Sequence, residues 1–407
     1  MPVSGVNSKL REMKKNPIAS MKTNAGARAI RRKRCALLVT NIPNPYRIPQ
    51  FNLLSEEFER NSIRFIVVYG ARGYRERMWV YDDSELKHEA YFLDERIRKS
   101  APRLYPGFTR ALVRFSPDVI IGNGFSLATA KAAMYCHLTN RGMMIMAETI
   151  AGPNGVTGVP VGLIRGLMTR QARKMLLSGS KSREYVVSLP FGGRTPVETG
   201  VLNIDTRVFE ALGERRQIHE NRVVKRLLFT GYLNKRKNAQ AVIHLAARLA
   251  KKRSDFLVTI VGDGEERPSL ERLTVSLGVA TFVSFVGYKQ YKEILHYYAA
   301  SDIFLFPTHY DIWGLVLNEA MASGLACIVS DKANAHVDLI QDGVNGYVRS
   351  FSDLDSVEAL LLQLLDDPER VYKVGKTAVA FIRDHASINK SVQIISDSVL
   401  EELENLK

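Results

Sequence analysis

Short apolar runs alternate with longer helical stretches from residue 35 to the end of the chain. Such runs are typical of strands that a parallel sheet buries on both faces. The runs that predict strands are Cys35–Thr40, Arg64–Tyr69, Pro117–Phe125, Met143–Ala147, Arg226–Gly231, Leu257–Gly262, Ile303–Phe306 and Ala326–Ser330. Phe51–Arg60 predicts a helix between the first two strands. This alternation indicates βαβ units in doubly wound α/β sheets.

The chain has 407 residues, more than one hydrophobic core usually supports, so we expect two domains. Leu189–Pro196, rich in glycine and proline, separates two series of alternating elements. We therefore predict an N-terminal Rossmann-like domain over 35–200 and a C-terminal one over 201–384. A last amphipathic helix, at about 385–407, is expected to pack back on the first domain.

The composition is that of an ordinary globular protein, with 46% hydrophobic and 24% charged residues. No apolar run reaches the roughly 20 residues that a membrane-spanning helix needs. The three cysteines (Cys35, Cys136 and Cys327) are scattered without the spacing of metal ligands, and the N-terminus lacks the apolar stretch of a secretory signal. We expect a cytoplasmic protein.

Basic residues are concentrated at the N-terminus. Residues 1–34 hold ten lysines or arginines and one acid, a net charge of +9, so that only +6 of the total +15 remains for the rest. This distribution weakens a nucleic-acid-binding interpretation, and we expect no nucleic-acid partner. A leader of this kind is attracted to an anionic membrane surface, which would make the protein peripheral on the inner membrane face. The alternatives are a disordered, solvated arm or a start of translation at Met13 or Met21.

A basic loop follows the first predicted strand of the second domain. Gly231–Asn238 contains three consecutive cations, Lys235, Arg236 and Lys237. Open α/β sheets bind ligands at the carboxyl ends of their strands, and cations there can stabilise developing negative charge. The alternative is a solvated basic turn.

Two carboxylates stand eight positions apart in Asp311–Glu319. Residues 314–322 predict an otherwise apolar helix, and the rise per residue separates the two carboxylates by roughly 12 Å, the scale of an elongated ligand. Glu319 should then lie near a buried face and need a partner. The alternative is an N-terminal cap at Asp311 and a surface position for Glu319.

The stretch Phe306–Asp331, continued by Asp338–Tyr347, resembles the signature of family 4 glycosyltransferases, also called glycosyl transferases group 1. Val261–Glu265 and Phe285–Gly287 are similar to further segments of that family. The resemblance extends from about Cys35 to the C-terminus. It implies the glycosyltransferase B fold, in which two Rossmann-like domains face each other across a cleft, and a retaining transfer from a nucleotide sugar.

The resemblance implies roles for individual residues of the C-terminal half. Asp311 would contact the hydroxyls of the donor sugar, Glu319 the ribose hydroxyls, and Arg236 and Lys237 the diphosphate. The full set implied is, for catalysis, Asp311, Arg236 and Lys237, and for donor binding Gly231, Glu319, Trp313, Gly314 and Leu315. Asp311 stands where the family more often has Glu, and Tyr232 stands where it often has Arg.

The N-terminal half resembles the family less closely. Its first loop, Asn41–Pro49, replaces the common Gly-Gly loop and is similar to a subgroup associated with bacterial surface polysaccharides. The family binds its acceptor in this half. The candidate acceptor contacts are Tyr46, Arg47, Asn123 and Glu148, each of which could instead satisfy backbone groups.

The resemblance implies a UDP-sugar donor first and GDP-mannose next, and a glycan or lipid-linked acceptor. No cofactor or obligatory metal is expected, because the one Asp-x-Asp, Asp353–Asp355, precedes a helical run and favours a capping role. Two alternatives remain: a nucleotide-sugar epimerase on the same fold, and a catalytically silent sugar-nucleotide-binding scaffold.

Overall fold

The computed structural model describes residues 32–75, 80–99, 105–149, 158–215 and 224–406. Nearly all of the basic leader predicted over 1–34 lies outside these ranges. Residues 34–407 form one compact unit with two parallel sheets.

The first sheet has seven parallel strands in the order β4-β2-β1-β6-β7-β8-β9. A separate two-stranded parallel sheet consists of β3 and β5, which alternate along the chain with strands of the first sheet. The strands are β1 Arg34–Thr40, β2 Ile63–Tyr69, β3 Gly73–Tyr74, β4 Glu89–Phe92, β5 Ile97–Arg98, β6 Val119–Asn123, β7 Gly142–Ala147, β8 Lys174–Leu177 and β9 Val197–Thr199. The helices are α1 Ile48–Arg60, α2 Phe108–Phe115, α3 Leu127–Thr139, α4 Val159–Gln171 and α5 Ser180–Ser188, with 3-10 turns at Asp83–Glu85 and Gly192–Arg194.

The second sheet has six parallel strands in the order β12-β11-β10-β13-β14-β15. Its strands are β10 Lys225–Thr230, β11 Phe256–Val261, β12 Val283–Gly287, β13 Ile303–Phe306, β14 Ala326–Ser330 and β15 Tyr347–Arg349. Its helices are α6 Arg207–Arg215, α7 Ala239–Leu249, α8 Arg267–Ser276, α9 Tyr291–Ala300, α10 Leu315–Ala322, α11 His336–Leu339, α12 Leu354–Asp366 and α13 Pro368–His385, with a 3-10 turn at Lys235–Lys237. The last helix is α14 Ile388–Asn405.

Each sheet has a hydrophobic core on both faces. In β1, Leu37 and Val39 belong to the core on one face, whereas Ala36 and Leu38 belong to the core on the other. Alternate side chains of a strand point to opposite faces, so a strand covered on both sides must be apolar throughout. This is why the strands could be predicted from continuous apolar runs.

Helix α1 begins earlier than the sequence predicts. It starts at Ile48 rather than Phe51, and Pro49 occupies its first turn. The sequence analysis placed Pro49 in the loop Asn41–Pro49, and this was wrong: the first turn of a helix tolerates proline, because it has no internal partner for the N–H group that proline lacks.

Helix α14 packs against α1 of the first domain. Lys174 of β8 forms an ion pair of 2.7 Å with Glu401 of α14. The chain therefore passes between the two domains twice, once after β9 and once between α13 and α14. The two crossings meet at Gln50, whose buried amide nitrogen donates to Val201 O and to Ser391 Oγ, both at 2.9 Å.

Candidate active site

A cleft of about 890 Å³ lies between the two domains. Tyr46 and Tyr74 line it from the first domain. The second domain contributes the loops after β10, β11 and β12, at the carboxyl ends of these strands. Parallel α/β sheets bind ligands at this edge, because the loops there are free to supply polar groups.

The basic loop after β10 has a defined conformation. Lys235–Lys237 form a 3-10 turn, whose first N–H groups are capped by Asn234: its side-chain oxygen accepts from Lys237 N at 3.0 Å. Asn238 has a left-handed backbone, with φ of 56°, and its amide donates to Pro307 O at 3.0 Å. These contacts hold the loop against the segment that follows β13. Lys235 and Arg236 are exposed, as the alternative of a solvated turn expects, whereas Lys237 is buried.

A close approach between two glycines shapes the floor of the cleft. A Cβ atom on Gly262 would come within 1.9 Å of Gly231 O, so only glycine fits at position 262. A Cβ atom on Gly231 would meet its neighbours at 3.5 Å or more, however, so the tighter constraint lies at Gly262.

The structure brings Asp311, Arg236 and Lys237 together. The Lys237 ammonium is in contact with Asp311 Oδ2, and Arg236 Nη1 lies 3.1 Å from the same oxygen. Lys237 and Asp311 are buried, whereas the Arg236 side chain is 44% exposed. Burial lowers the pKa of Lys237, and the charge of Asp311 opposes that shift. Arg236 and Lys237, which the family resemblance assigns to a diphosphate, are therefore paired with Asp311, which it assigns to the donor sugar.

Glu319 is 1% exposed, as its apolar helix predicts. The Tyr298 hydroxyl donates to Glu319 Oε2 at 2.6 Å, while Oε1 has no hydrogen-bond partner among the described residues. Burial raises the pKa of Glu319 to about 7. The alternative of an Asp311 cap with a surface Glu319 is excluded, because Gly314 is the N-cap of α10.

Tyr46 of the first domain lines the cleft and reaches the second domain. Its ring packs edge-to-face on Tyr291 at 6.0 Å between centroids. The negative charge of Glu319, followed by burial, raises the pKa of Tyr46 well above its ordinary value. The sequence analysis assigned Tyr46 to the acceptor, whereas its contacts are with residues of the second domain.

The other candidate acceptor residues bond to one another or to their own domain. Arg47 Nη2 forms an ion pair of 2.6 Å with Glu148 Oε1, and Arg47 Nη1 donates to Gln50 Oε1 at 2.8 Å. Asn123 Nδ2 donates to Thr40 Oγ1 at 2.9 Å. Glu148 remains half-exposed, with 44% of its side chain accessible, so it is the one of these three that a ligand can reach most easily.

The segment Trp313–Leu315 supports the helix that carries Glu319. Trp313 is buried, and its Nε1 donates to Asn318 Oδ1 at 3.1 Å. Gly314 has a left-handed backbone, with φ of 89°, and a Cβ there would meet the Phe306 ring at 2.5 Å. Leu315 begins α10 and packs against the core of the second domain. Their contacts are those of residues that position α10.

Asp338 joins the two domains, a contact that the sequence analysis did not predict. Its carboxylate accepts from the N–H and hydroxyl of Ser180, at 3.1 and 2.6 Å, across the domain boundary. A Cβ on Gly179 would meet Asp338 Oδ2 at 2.5 Å, so the two domains touch closely there. The sequence analysis named Asp338 only as the first residue of the stretch Asp338–Tyr347 that resembles a family signature, because nothing in the local sequence indicates a partner in the other domain.

The described residues contain no group of three or more His, Cys, Asp or Glu that could hold a metal ion. Asp353 caps α12, as predicted, and its Oδ1 accepts from Asp355 N at 3.2 Å. Across the same part of the chain, no helix is both long and apolar enough to span a membrane.

The C-terminal half of the chain is similar to a known family of proteins. Residues 213–380 match the family model described as "Glycosyl transferases group 1". The chain is 29% identical over 171 residues to the alpha-D-kanosaminyltransferase of Streptomyces kanamyceticus. That match covers 41% of this chain and 42% of the relative, so the chain spans less than half the length of this relative.

Solved structures resemble the whole two-domain body. Sucrose-phosphate synthase from Thermosynechococcus elongatus superposes with a TM-score of 0.71 at 14% identity, covering 92% of this chain and 100% of that one. A second structure, titled "Anabaena Alr3699/HepE in complex with UDP", gives 0.71 at 15% identity, covering 90% and 100%. These likenesses confirm the predicted fold class, two Rossmann-like domains in the glycosyltransferase B fold.

Proposed function

We propose that this protein is a retaining glycosyltransferase that moves a sugar from a nucleotide-sugar donor to a glycan or lipid-linked acceptor in polysaccharide or glycoconjugate biosynthesis. The observation that carries the proposal is a cleft lined by Arg236 and Lys237 and by Val316 of α10, the helix whose Glu319 has a buried carboxylate oxygen without a partner among the described residues. A nucleoside diphosphate offers an anion for the two cations and hydroxyls for the carboxylate.

Glu319 would accept hydrogen bonds from the ribose hydroxyls. A buried carboxylate oxygen without a partner is costly, since it has lost its water and gained no donor. A ligand hydroxyl that reaches Oε1 removes this cost and favours the ionised form. Tyr46 lines the cleft and is close enough to Glu319 for that charge to raise its pKa, so we expect this ring to move when the nucleoside binds.

Arg236 and Lys237 would stabilise the departing diphosphate, because cations near a developing negative charge lower the barrier to its departure. Asp311 Oδ2 contacts both cations, and its single negative charge offsets one of their two positive charges. A diphosphate would compete for them, which would release the Asp311 carboxylate to orient hydroxyls of the donor sugar.

Transfer with retention would proceed through an oxocarbenium-like state, in which the departing diphosphate helps to deprotonate the incoming hydroxyl. No separate general base and no metal ion are then required. Approach of the two domains would exclude water, which otherwise hydrolyses the donor.

A UDP-sugar is the first donor to test and GDP-mannose the second. A structure of the same fold is described in complex with UDP, while a relative 31% identical over 154 residues is named a GDP-mannose-dependent mannosyltransferase. We propose a cytoplasmic site of action, peripheral on the inner membrane face through the basic residues 1–34. The rival functions are a nucleotide-sugar epimerase and a silent sugar-nucleotide scaffold.

The test is a panel of UDP-, GDP- and ADP-sugars, with thermal protection and slow donor hydrolysis as readouts. A ligand at a hundred times its Kd adds about 2.7 kcal/mol to stability, which shifts the melting midpoint visibly. We expect one nucleotide sugar to protect the native chain and to lose its effect in Glu319→Gln, but not in the control Glu369→Gln, an exposed carboxylate on α13. Protection by none of them would refute the donor site. Free epimerised sugar would favour the epimerase, and binding without turnover or transfer would favour the scaffold.

A further inference from the structure

Helix α4 exposes its apolar side chains instead of burying them against the domain core. Val159, Leu163, Ile164 and Leu167 point outward, with Val159 84% and Ile164 57% exposed. The buried face instead carries Gly162, Gly166, Met168 and Thr169. A surface helix normally buries its apolar stripe and exposes polar residues.

The glycines explain why α4 sits with this face outward. A Cβ atom on Gly166 would come within 2.0 Å of Pro190 O. The glycine face is therefore the only face of α4 that can approach the chain at Pro190 so closely. The apolar stripe is left facing away from the domain as a consequence of this packing.

The neighbouring helix α3 extends the apolar surface. Met134 is 64% and Leu138 76% exposed, and α3 packs beside α4. With Leu127 and the half-buried Lys131 they recur at positions i, i+4, i+7 and i+11, one stripe of a helix. We call the outward stripes of α3 and α4 the α3–α4 face. An exposed apolar surface spread over two elements is typical of an interaction site.

An arginine-rich hollow of about 420 Å³ adjoins the α3–α4 face at the ends of both helices. Arg141, Arg170, Arg173 and Arg194 line it, together with His137. Arg141 pairs with Asp118, and Arg173 lies 3.5 Å from Glu402. Within the described ranges, Arg170 and Arg194 have no carboxylate within ion-pair distance; Arg170 lies over the Phe191 ring at 5.5 Å.

The surrounding sequence contains almost no acids. Residues 119–183 hold eight lysines or arginines and one carboxylate, Glu148, which is paired with Arg47. An apolar face beside unpaired cations is complementary to a layer that is apolar inside and anionic outside.

Residues 1–31 of this chain are a poor occupant for the α3–α4 face. They carry seven lysines or arginines and one acid, so they would be repelled by the cations beside that face.

We infer that the α3–α4 face docks on an anionic phospholipid bilayer, with the outward apolar side chains entering the interface and the arginine hollow holding lipid phosphates. Arginine binds phosphate through a planar set of donors, and apolar side chains of an interfacial helix gain by leaving water. This surface belongs to the folded N-terminal domain and is separate from the basic leader.

The test is binding of the full chain to phosphatidylcholine vesicles with and without phosphatidylglycerol. Each removed arginine is expected to lower partitioning to the anionic vesicles by about fivefold. The double variant Arg170→Gln/Arg194→Gln should therefore bind about 25-fold more weakly, and Leu163→Ser/Leu167→Ser at least tenfold more weakly. Circular dichroism checks that each variant is folded.

A control variant removes one arginine and one exposed apolar residue from the other domain. Arg272→Gln/Val275→Ser changes an exposed arginine and a valine, 70% exposed, on α8 and should bind like the native chain. Residual binding through the leader is the same in all variants. Native-like binding by both α3–α4 variants would overturn the inference.

The two arms also distinguish other partners. Loss of binding in the arginine variant alone would overturn bilayer docking in favour of a soluble polyanion, and loss in the leucine variant alone would overturn it in favour of an apolar protein surface. A second readout labels a single introduced cysteine with a dye. The three native cysteines are all buried, so the dye should react with the introduced one. A polarity-sensitive dye on Leu163→Cys should shift to the blue with anionic vesicles, while the same dye on Val275→Cys should not; no shift at position 163 would overturn the inference.

Discussion

Replacing Glu319 by glutamine should stabilise the unliganded protein above neutral pH. Burial raises the pKa of Glu319 from an ordinary 4.5 to about 7, so the folded state binds this proton more tightly than the unfolded state. The free energy of unfolding of the native chain then falls as pH rises through 4.5 and stops falling above about 7. Each pKa unit is worth 1.36 kcal/mol, so this one group removes about 3 kcal/mol. Glutamine does not titrate, so the free energy of unfolding of the variant does not undergo this fall.

The assay is urea denaturation of the native chain and Glu319→Gln from pH 4 to pH 8. The quantity to follow is the difference in free energy of unfolding between the two chains, because every other titrating group is shared and cancels. We expect this difference to grow by about 3 kcal/mol in favour of the variant. The exposed-site variant Glu369→Gln should show a constant difference.

A difference between Glu319→Gln and the native chain that stayed constant with pH would refute the reasoning. It would mean that Glu319 has the same affinity for its proton in both states. Some group would then compensate its charge in the folded protein, and burial would not dominate its environment.

Two further predictions concern the same cleft. Asp311→Asn leaves Lys237 buried without its counter-charge, so we expect a loss of about 3 kcal/mol in the free energy of unfolding, measured by urea denaturation. Tyr46→Ala uncovers Glu319 and admits water, which should lower the pKa of that carboxyl and shrink the drop in stability between pH 4.5 and 7, measured in the same pH series.

Each of these variants has a control. Asp384→Asn removes an exposed carboxylate and should leave the urea midpoint nearly unchanged. Tyr74→Ala removes another tyrosine of the cleft and should leave the pH dependence of the native chain intact. An Asp311→Asn variant as stable as the native chain, or a Tyr46→Ala variant with the native pH profile, would contradict the corresponding prediction.

The fold was predictable from the sequence because its signal is local. Apolar runs such as Cys35–Thr40 predicted eight of the fifteen strands among the described residues, including the central strands of both sheets. Short or outer strands such as Glu89–Phe92 and Tyr347–Arg349 lack such a run and were not predicted. Helix starts were less accurate, as at α1, because a proline in a first turn and a proline in a loop look alike in sequence. The burial of Glu319 was also predictable, from the apolar helix around it.

Contacts between distant parts of the chain were not predictable. Tyr46 was assigned to the acceptor from its position in the first domain, yet it lies against Tyr291, which is 245 positions later. The Asp338–Ser180 contact is equally remote in sequence. Such contacts depend on how the two domains meet, and no local periodicity or motif carries that information.

Gln50 gives the two-domain body a pivot. Because its amide bonds to the chain at both crossings, those crossings are held side by side rather than at opposite edges of the molecule. Two connections fixed near one point permit the domains to swing about it but resist sliding or separation. These contacts favour opening and closing of the cleft about a hinge over sliding of one domain along the other. The backbone at residues 200–204 and 386–388 is where we expect that hinge to turn.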